Sequence, residues 1–80
     1  MTEAEQGVIG CVLIDNGCLY EVYNKLKPQM FSSEFCQDAF AEMLAMYDRG
    51  ENINIVSLSQ ILENHKWSPE MIAEELRDCT

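Results

Sequence analysis

The chain has 80 residues, 48% of them hydrophobic and 24% charged, with four Gly and two Pro; this composition describes one small globular domain, not a disordered tail. It is too short for two domains, and too short for a nucleotide-hydrolysing α/β core, which takes on the order of 150 residues or more. Fourteen Asp+Glu against five Lys+Arg leave a net charge of −9, with no basic stripe to neutralise phosphates, so direct nucleic-acid binding by this segment is disfavoured.

Helix signals follow one another along the chain with short breaks. Thr2 and Glu5 fit a capping box. The first helix then carries Val8, Ile9, Val12 and Leu13 on one face, with Cys11 and Ile14 widening it. Asp15-Asn16-Gly17 is a turn triplet that stops it. A second helical segment, Cys18 to Lys27, lines up Leu19, Val22, Tyr23 and Leu26, and Pro28 ends it because proline disfavours helical geometry in the preceding residue. The loop from Pro28 to Phe31 holds two large apolar groups, Met30 and Phe31, and is expected to tuck against the core. Ser32 or Ser33 caps a third helix running to about Arg49, whose buried face is read as Cys36, Ala39, Phe40, Met43, Leu44 and Tyr47. Gly50 stands where a left-handed C-terminal cap belongs. Asn54 caps a fourth helix with Val56, Leu58, Ile61 and Leu62 inward, and Ile53 staples the chain as it enters. Ser68-Pro69-Glu70 opens a fifth, with Met71, Ile72, Leu76 and Cys79 on its apolar side. The expected fold is all-α, a compact orthogonal bundle of about five short helices.

Few residues suggest chemistry. The four cysteines, at 11, 18, 36 and 79, contain no C-x-x-C pair. Structural zinc sites use closely paired ligands, so the cysteines are read as reduced, mostly buried thiols that pack as small hydrophobes. His65 has Glu63 two residues away, which does not share its helix face, and is read as a surface residue near a helix C-terminus. Gly7 and Gly10 are read as a close helix approach and not as a phosphate cradle; no P-loop motif occurs. The carboxylates Glu3/Glu5 and Glu70/Glu74/Glu75/Asp78 lack EF-hand loop geometry and are read as a solvated face. No catalytic, cofactor-binding or metal-binding residue is therefore assigned. The N-terminus lacks a basic leader, and the longest apolar run, Val8 to Ile14, is too short to span a bilayer, so a cytoplasmic chain is expected. Five Met, three Phe, three Tyr and one Trp are much oily bulk for one thin core. Phe35 and Met46, off the main stripe of the third helix, and Trp67 at a helix break are the candidates for an exposed partner interface.

The order of residues carries more. Glu3-Ala4-Glu5-Gln6, then Val8, Gly10 and Leu13 with Asp15-Asn16, resembles the opening of the N-terminal domain of DnaB-type replicative DNA helicases. The likeness continues through Val22, Leu26 and Phe31, then Phe40, Met43 and Tyr47-Asp48-Arg49-Gly50-Glu51. It extends to Ile53-Asn54-Ile55-Val56-Ser57-Leu58, where the family usually has an Ile-Asp-Leu-Val-Thr-like string. It runs from Glu3 to Leu62 in register; from Trp67 onward it is only a helix in the right place. The family commonly has an aromatic after the phenylalanine matched by Phe31 and a His-Arg pair a little later, where this chain has Ser32 and Cys36-Gln37. Contacts of that His-Arg pair are therefore not carried over.

The resemblance implies one helical head domain over 1–80, part of a longer helicase whose collar-building hairpin and RecA-like ATPase motor lie outside it. ATP and Mg belong to that motor. In the family the head is non-catalytic, supports hexamer assembly with other helicase subunits and docks a DnaG-type primase within the primosome. The alternatives are the helicase-binding domain of a primase, which resembles the same head, and a small acidic helical regulator unrelated to replication. A DNA-binding helix-turn-helix regulator is disfavoured because its basic residues, at 25, 27, 49, 66 and 77, are scattered.

Overall fold

The computed structural model describes residues 3–79. Five α-helices follow in order: α1 (Glu3–Ile14), α2 (Gly17–Val22), α3 (Glu34–Asp48), α4 (Ile55–His65) and α5 (Pro69–Cys79), with a single 3₁₀ turn at Pro28–Met30 between α2 and α3. No strand occurs among the described residues. The capping role read for Thr2 lies outside them. The principal extents, 30 × 26 × 21 Å, are those of a globule whose longest helix, about 22 Å at 1.5 Å per residue, nearly crosses it.

Local chemistry sets the helix ends. Ser33 has an extended backbone, and its hydroxyl accepts from the Cys36 amide at 3.4 Å, starting α3. That helix closes with the Gly50 amide bonded to the Tyr47 carbonyl at 3.0 Å and the Glu51 amide to the Met46 carbonyl at 2.9 Å. This pairing needs a left-handed residue, and Gly50 supplies it at φ +72°. Asn54 starts α4: its side chain accepts from the Ser57 amide at 2.9 Å, while the Ser57 hydroxyl accepts from the Asn54 amide at 3.2 Å. Ser68 accepts from the Met71 amide at 3.2 Å, and Pro69 is the first residue of α5.

α3 is the axis of the packing. It contacts α1, α4 and the 3₁₀ turn, while α5 closes the molecule against α1 and α4. The core consists of Ile9 and Val12 (α1), Leu19 (α2), Phe31, six α3 residues from Phe35 to Met46, Ile53, Leu58 and Leu62 (α4), and Ile72 and Leu76 (α5). Three readings of helix faces need correction. Ile14 and Cys11 are exposed, because at about 100° per residue both fall on the side of α1 away from buried Ile9 and Val12. Val56 and Met71 are exposed too; each sits in the first turn of its helix, ahead of the stretch that packs. Leu44 and Tyr47 are only partly covered. The second segment is also shorter than its stripe suggests. α2 ends at Val22, and residues 23–25 form a turn in which the Lys25 and Leu26 amides both bond the Val22 carbonyl. In the loop that follows, Phe31 is buried and Met30 is not.

Candidate interaction surface

The three residues read as an exposed interface are not free surface. Phe35 is 3% exposed and Met46 fully buried. The reason is that α3 is covered on several sides at once, so its buried arc is wider than the single stripe visible in the sequence. Trp67 is half-buried and braced. Its ring meets Phe35 edge-on, with centroids 5.1 Å apart at 84°; its Nε1 donates to the Asp38 carboxylate at 2.9 Å; and the Lys66 ammonium lies 5.4 Å from its ring centroid. These contacts tie the α4–α5 link to α3.

What does reach solvent is a different set: Ile14 (80%), Tyr20 (73%), Val56 (63%), Met30 (62%), Ile55 and Met71. Ile14 and Tyr20 flank the α1–α2 corner. Ile55 and Val56 begin α4, next to that corner, because Asn16 reaches across to Ile53. The Asn16 amide group donates to the Ile53 carbonyl at 2.8 Å and to the Val12 carbonyl at 2.9 Å, and its oxygen accepts from the Ile53 amide at 2.9 Å. A sequence signal for this set existed, since Ile14 lies off the Ile9–Val12 arc, but nothing in the pattern reveals which helix faces find a neighbour.

An apolar groove of about 140 Å³ lies between the start of α1 and the 3₁₀ turn, lined by Ala4, Glu5, Val8, Leu26, Met30 and Phe31. Glu5 accepts from the Ser32 amide at 3.0 Å, the Ser32 hydroxyl at 2.6 Å and the Ser33 amide at 3.4 Å. It thus fastens the loop that forms one wall.

The junction of α3 with the end of α4 is polar. His65 Nε2 lies 2.5 Å from the Glu42 carboxylate, reaching across to α3 and not to Glu63. Lys66 pairs with Glu34 and lies 3.8 Å from Asp38. Lys66 is held above its ordinary pKa, chiefly by its hydrogen bond to Glu34. Nearby, Arg49 and Glu51 form an exposed pair that pushes Arg49 up and Glu51 down through their mutual hydrogen bond. These are surface pairs, worth little individually. Among the described residues no group of three or more His, Cys, Asp or Glu could hold a metal ion, and no helix is long and apolar enough to cross a membrane.

The cysteines depart from the expectation of four free thiols. Cys11 and Cys18 form a disulfide, with Cα atoms 6.1 Å apart. On a continuous helix the same residues would stand about 10.5 Å apart along the axis; the turn at Asp15-Asn16 brings them together. Cys36 and Cys79 lie outside that bridge. Burial pushes both thiols up in pKa, Cys79 to about 12.

The whole helical head, from the first residue almost to the last, matches one family model, that of the DnaB-like helicase N terminal domain, over residues 1–79. No curated protein and no solved structure matches the chain. With five α-helices in a single globule among the described residues and a match across nearly all of its length, the chain belongs to the DnaB-like helicase N-terminal domain family.

Proposed function

We propose that this chain is the non-catalytic assembly and docking head of a replicative DNA helicase, which contacts neighbouring helicase subunits in a hexamer and engages a DnaG-type primase in the cytoplasm. The family match over residues 1–79 carries this reading, and it favours a helicase head over the related domain of a primase. The exposed apolar side chains Ile14, Tyr20, Met30, Ile55, Val56 and Met71 support it, since such groups suit protein contact. So does the charge of −9, which repels a phosphate backbone. On this reading ATP and Mg act in a motor elsewhere in the longer protein, and the acidic head helps keep DNA away from the collar.

Calorimetric titration of the chain with the helicase-binding domain of the primase from the same genome tests the proposal. Saturable binding is expected, together with no retardation of a labelled single strand at low salt. Ile14→Asp, Tyr20→Asp and Met30→Asp change side chains that are mostly exposed, so the helical circular-dichroism signal is expected to stay intact while at least one of them weakens the primase complex. Tight single-strand binding with no response to the primase domain would overturn it.

A further inference from the structure

The corner between α1 and α2 holds two features that the docking role does not use. One is the Cys11–Cys18 disulfide, which closes a loop with a sequence separation of 7. The other is Asn16 inside that loop, whose three backbone bonds join the end of α1 to Ile53, immediately before the cap of α4. The disulfide therefore encloses the residue that fastens the α1–α2 corner to the segment leading into α4. Cys11 is exposed and Cys18 half-buried, so the bridge is open to attack from solvent.

We propose that Cys11 and Cys18 form a reversible thiol–disulfide site, exchanged through exposed Cys11 by small thiols or dithiol reductants, which sets how firmly the α1–α2 corner is locked to the start of α4. In the reducing direction a thiolate attacks the Cys11 sulfur, the Cys11–Cys18 bond breaks, and Cys18 leaves as a thiolate that takes up a proton. A second thiolate attacks the mixed disulfide and releases Cys11, also protonated. Two electrons and two protons reach the protein, and two reductant thiols become one disulfide. The reverse reaction consumes one disulfide oxidant of the same class, such as oxidised glutathione.

The consequence follows from geometry. The oxidised corner cannot straighten, because a continuous helix would need the two Cα atoms about 10.5 Å apart, against the 6.1 Å observed. The reduced corner keeps the packing of buried Leu19, the bonds of Asn16 and the turn bonds that Asp15 accepts from Gly17 and Cys18, but loses its one covalent tie. The other two cysteines do not compete. Cys36 is buried and Cys79 half-buried, and burial raises both thiols in pKa, depleting the thiolate that exchange requires.

Equilibrating the whole chain in glutathione buffers of graded ratio, alkylating the free thiols and mapping tryptic peptides tests this directly. The first basic residue is Lys25, so Cys11 and Cys18 share one peptide, separate from Cys36 and Cys79. That peptide is expected to lose two hydrogens on oxidation. Reduction is expected to lower the melting temperature by roughly 5–15 °C, the loss from opening so short a loop in a domain of this size. It should also speed amide exchange at Cys18, Leu19 and Ile53. The Cys11→Ser, Cys18→Ser double variant should melt like the reduced chain and ignore the oxidant. Free thiols at 11 and 18 under oxidising buffer, identical exchange in both states, or a response that survives in the double variant would each overturn the proposal.

Discussion

Phe40 has no exposed surface and meets Phe31 with ring centroids 5.0 Å apart. Its neighbour on the same apparent stripe, Leu44, is only partly covered. Periodicity ranks the two together, yet their substitutions should differ. Phe40→Ala leaves an aromatic-sized void and should cost about 3–5 kcal/mol, most of the ~5 kcal/mol expected of so small a domain. Leu44→Ala removes less buried surface and should cost about 1–2 kcal/mol. Chemical denaturation of both variants checks the order, and equal losses would contradict the packing of α3. Tyr23 shows a polar counterpart. Its hydroxyl donates to Asp48 at 2.9 Å while its ring packs on Tyr47. The hydrogen bond and the Asp48 charge together raise the Tyr23 phenol above its ordinary value of 10.0. Because the folded value is the higher one, this contribution is fully present below the ordinary value and is lost as pH rises through the raised one. In a tyrosinate absorbance titration, Tyr23→Phe should remove the part that appears at highest pH, and Asp48→Asn should bring it to lower pH. None of this was readable in the sequence, where residues 23 and 48 are 25 positions apart.

Helix existence was legible where local chemistry decides it. Ser33, Asn54 and Ser68 were each identifiable as caps, and each accepts from an amide three residues on, because a short polar side chain satisfies an otherwise orphaned donor wherever the chain turns into a helix. Gly50 was legible for the same local reason. Length was less legible. The stripe Leu19, Val22, Tyr23, Leu26 suits a longer helix, but α2 ends at Val22, a turn follows over residues 23–25, and the chain enters Pro28 from an extended Lys27. Asn16 illustrates a competing demand. It stands at the N-cap position of α2 yet makes no capping bond, since its amide is committed to Val12 and Ile53. Asn16→Ala should therefore cost about 1–3 kcal/mol, mostly through unpaired backbone groups at Ile53. The Ile53 and Leu58 amides should lose exchange protection ahead of those in α3. An unchanged exchange pattern at Ile53 would show that this clasp does not hold α4.

At the scale of the whole molecule, a net charge of −9 is spread around a core with no buried polar or charged residue among those described. Five basic residues cannot neutralise this surface, so it repels a phosphate backbone; under the docking role proposed above, the apolar side chains left in solvent are the expected points of contact. The amino-acid order alone determined the all-helical class, the caps and breaks, most of the core and the family resemblance, because capping, turn chemistry and a 3.6-residue period act within a few residues of each other. Only the tertiary structure decided the rest. It turned Phe35 and Met46 inward by surrounding α3, left Ile14, Val56 and Met71 outside by giving their faces no neighbour, and brought Cys11 to Cys18 by bending the chain between them. Each of these depends on which surfaces meet in space, and a one-dimensional pattern records how a helix is divided into faces but not how many of those faces will be covered.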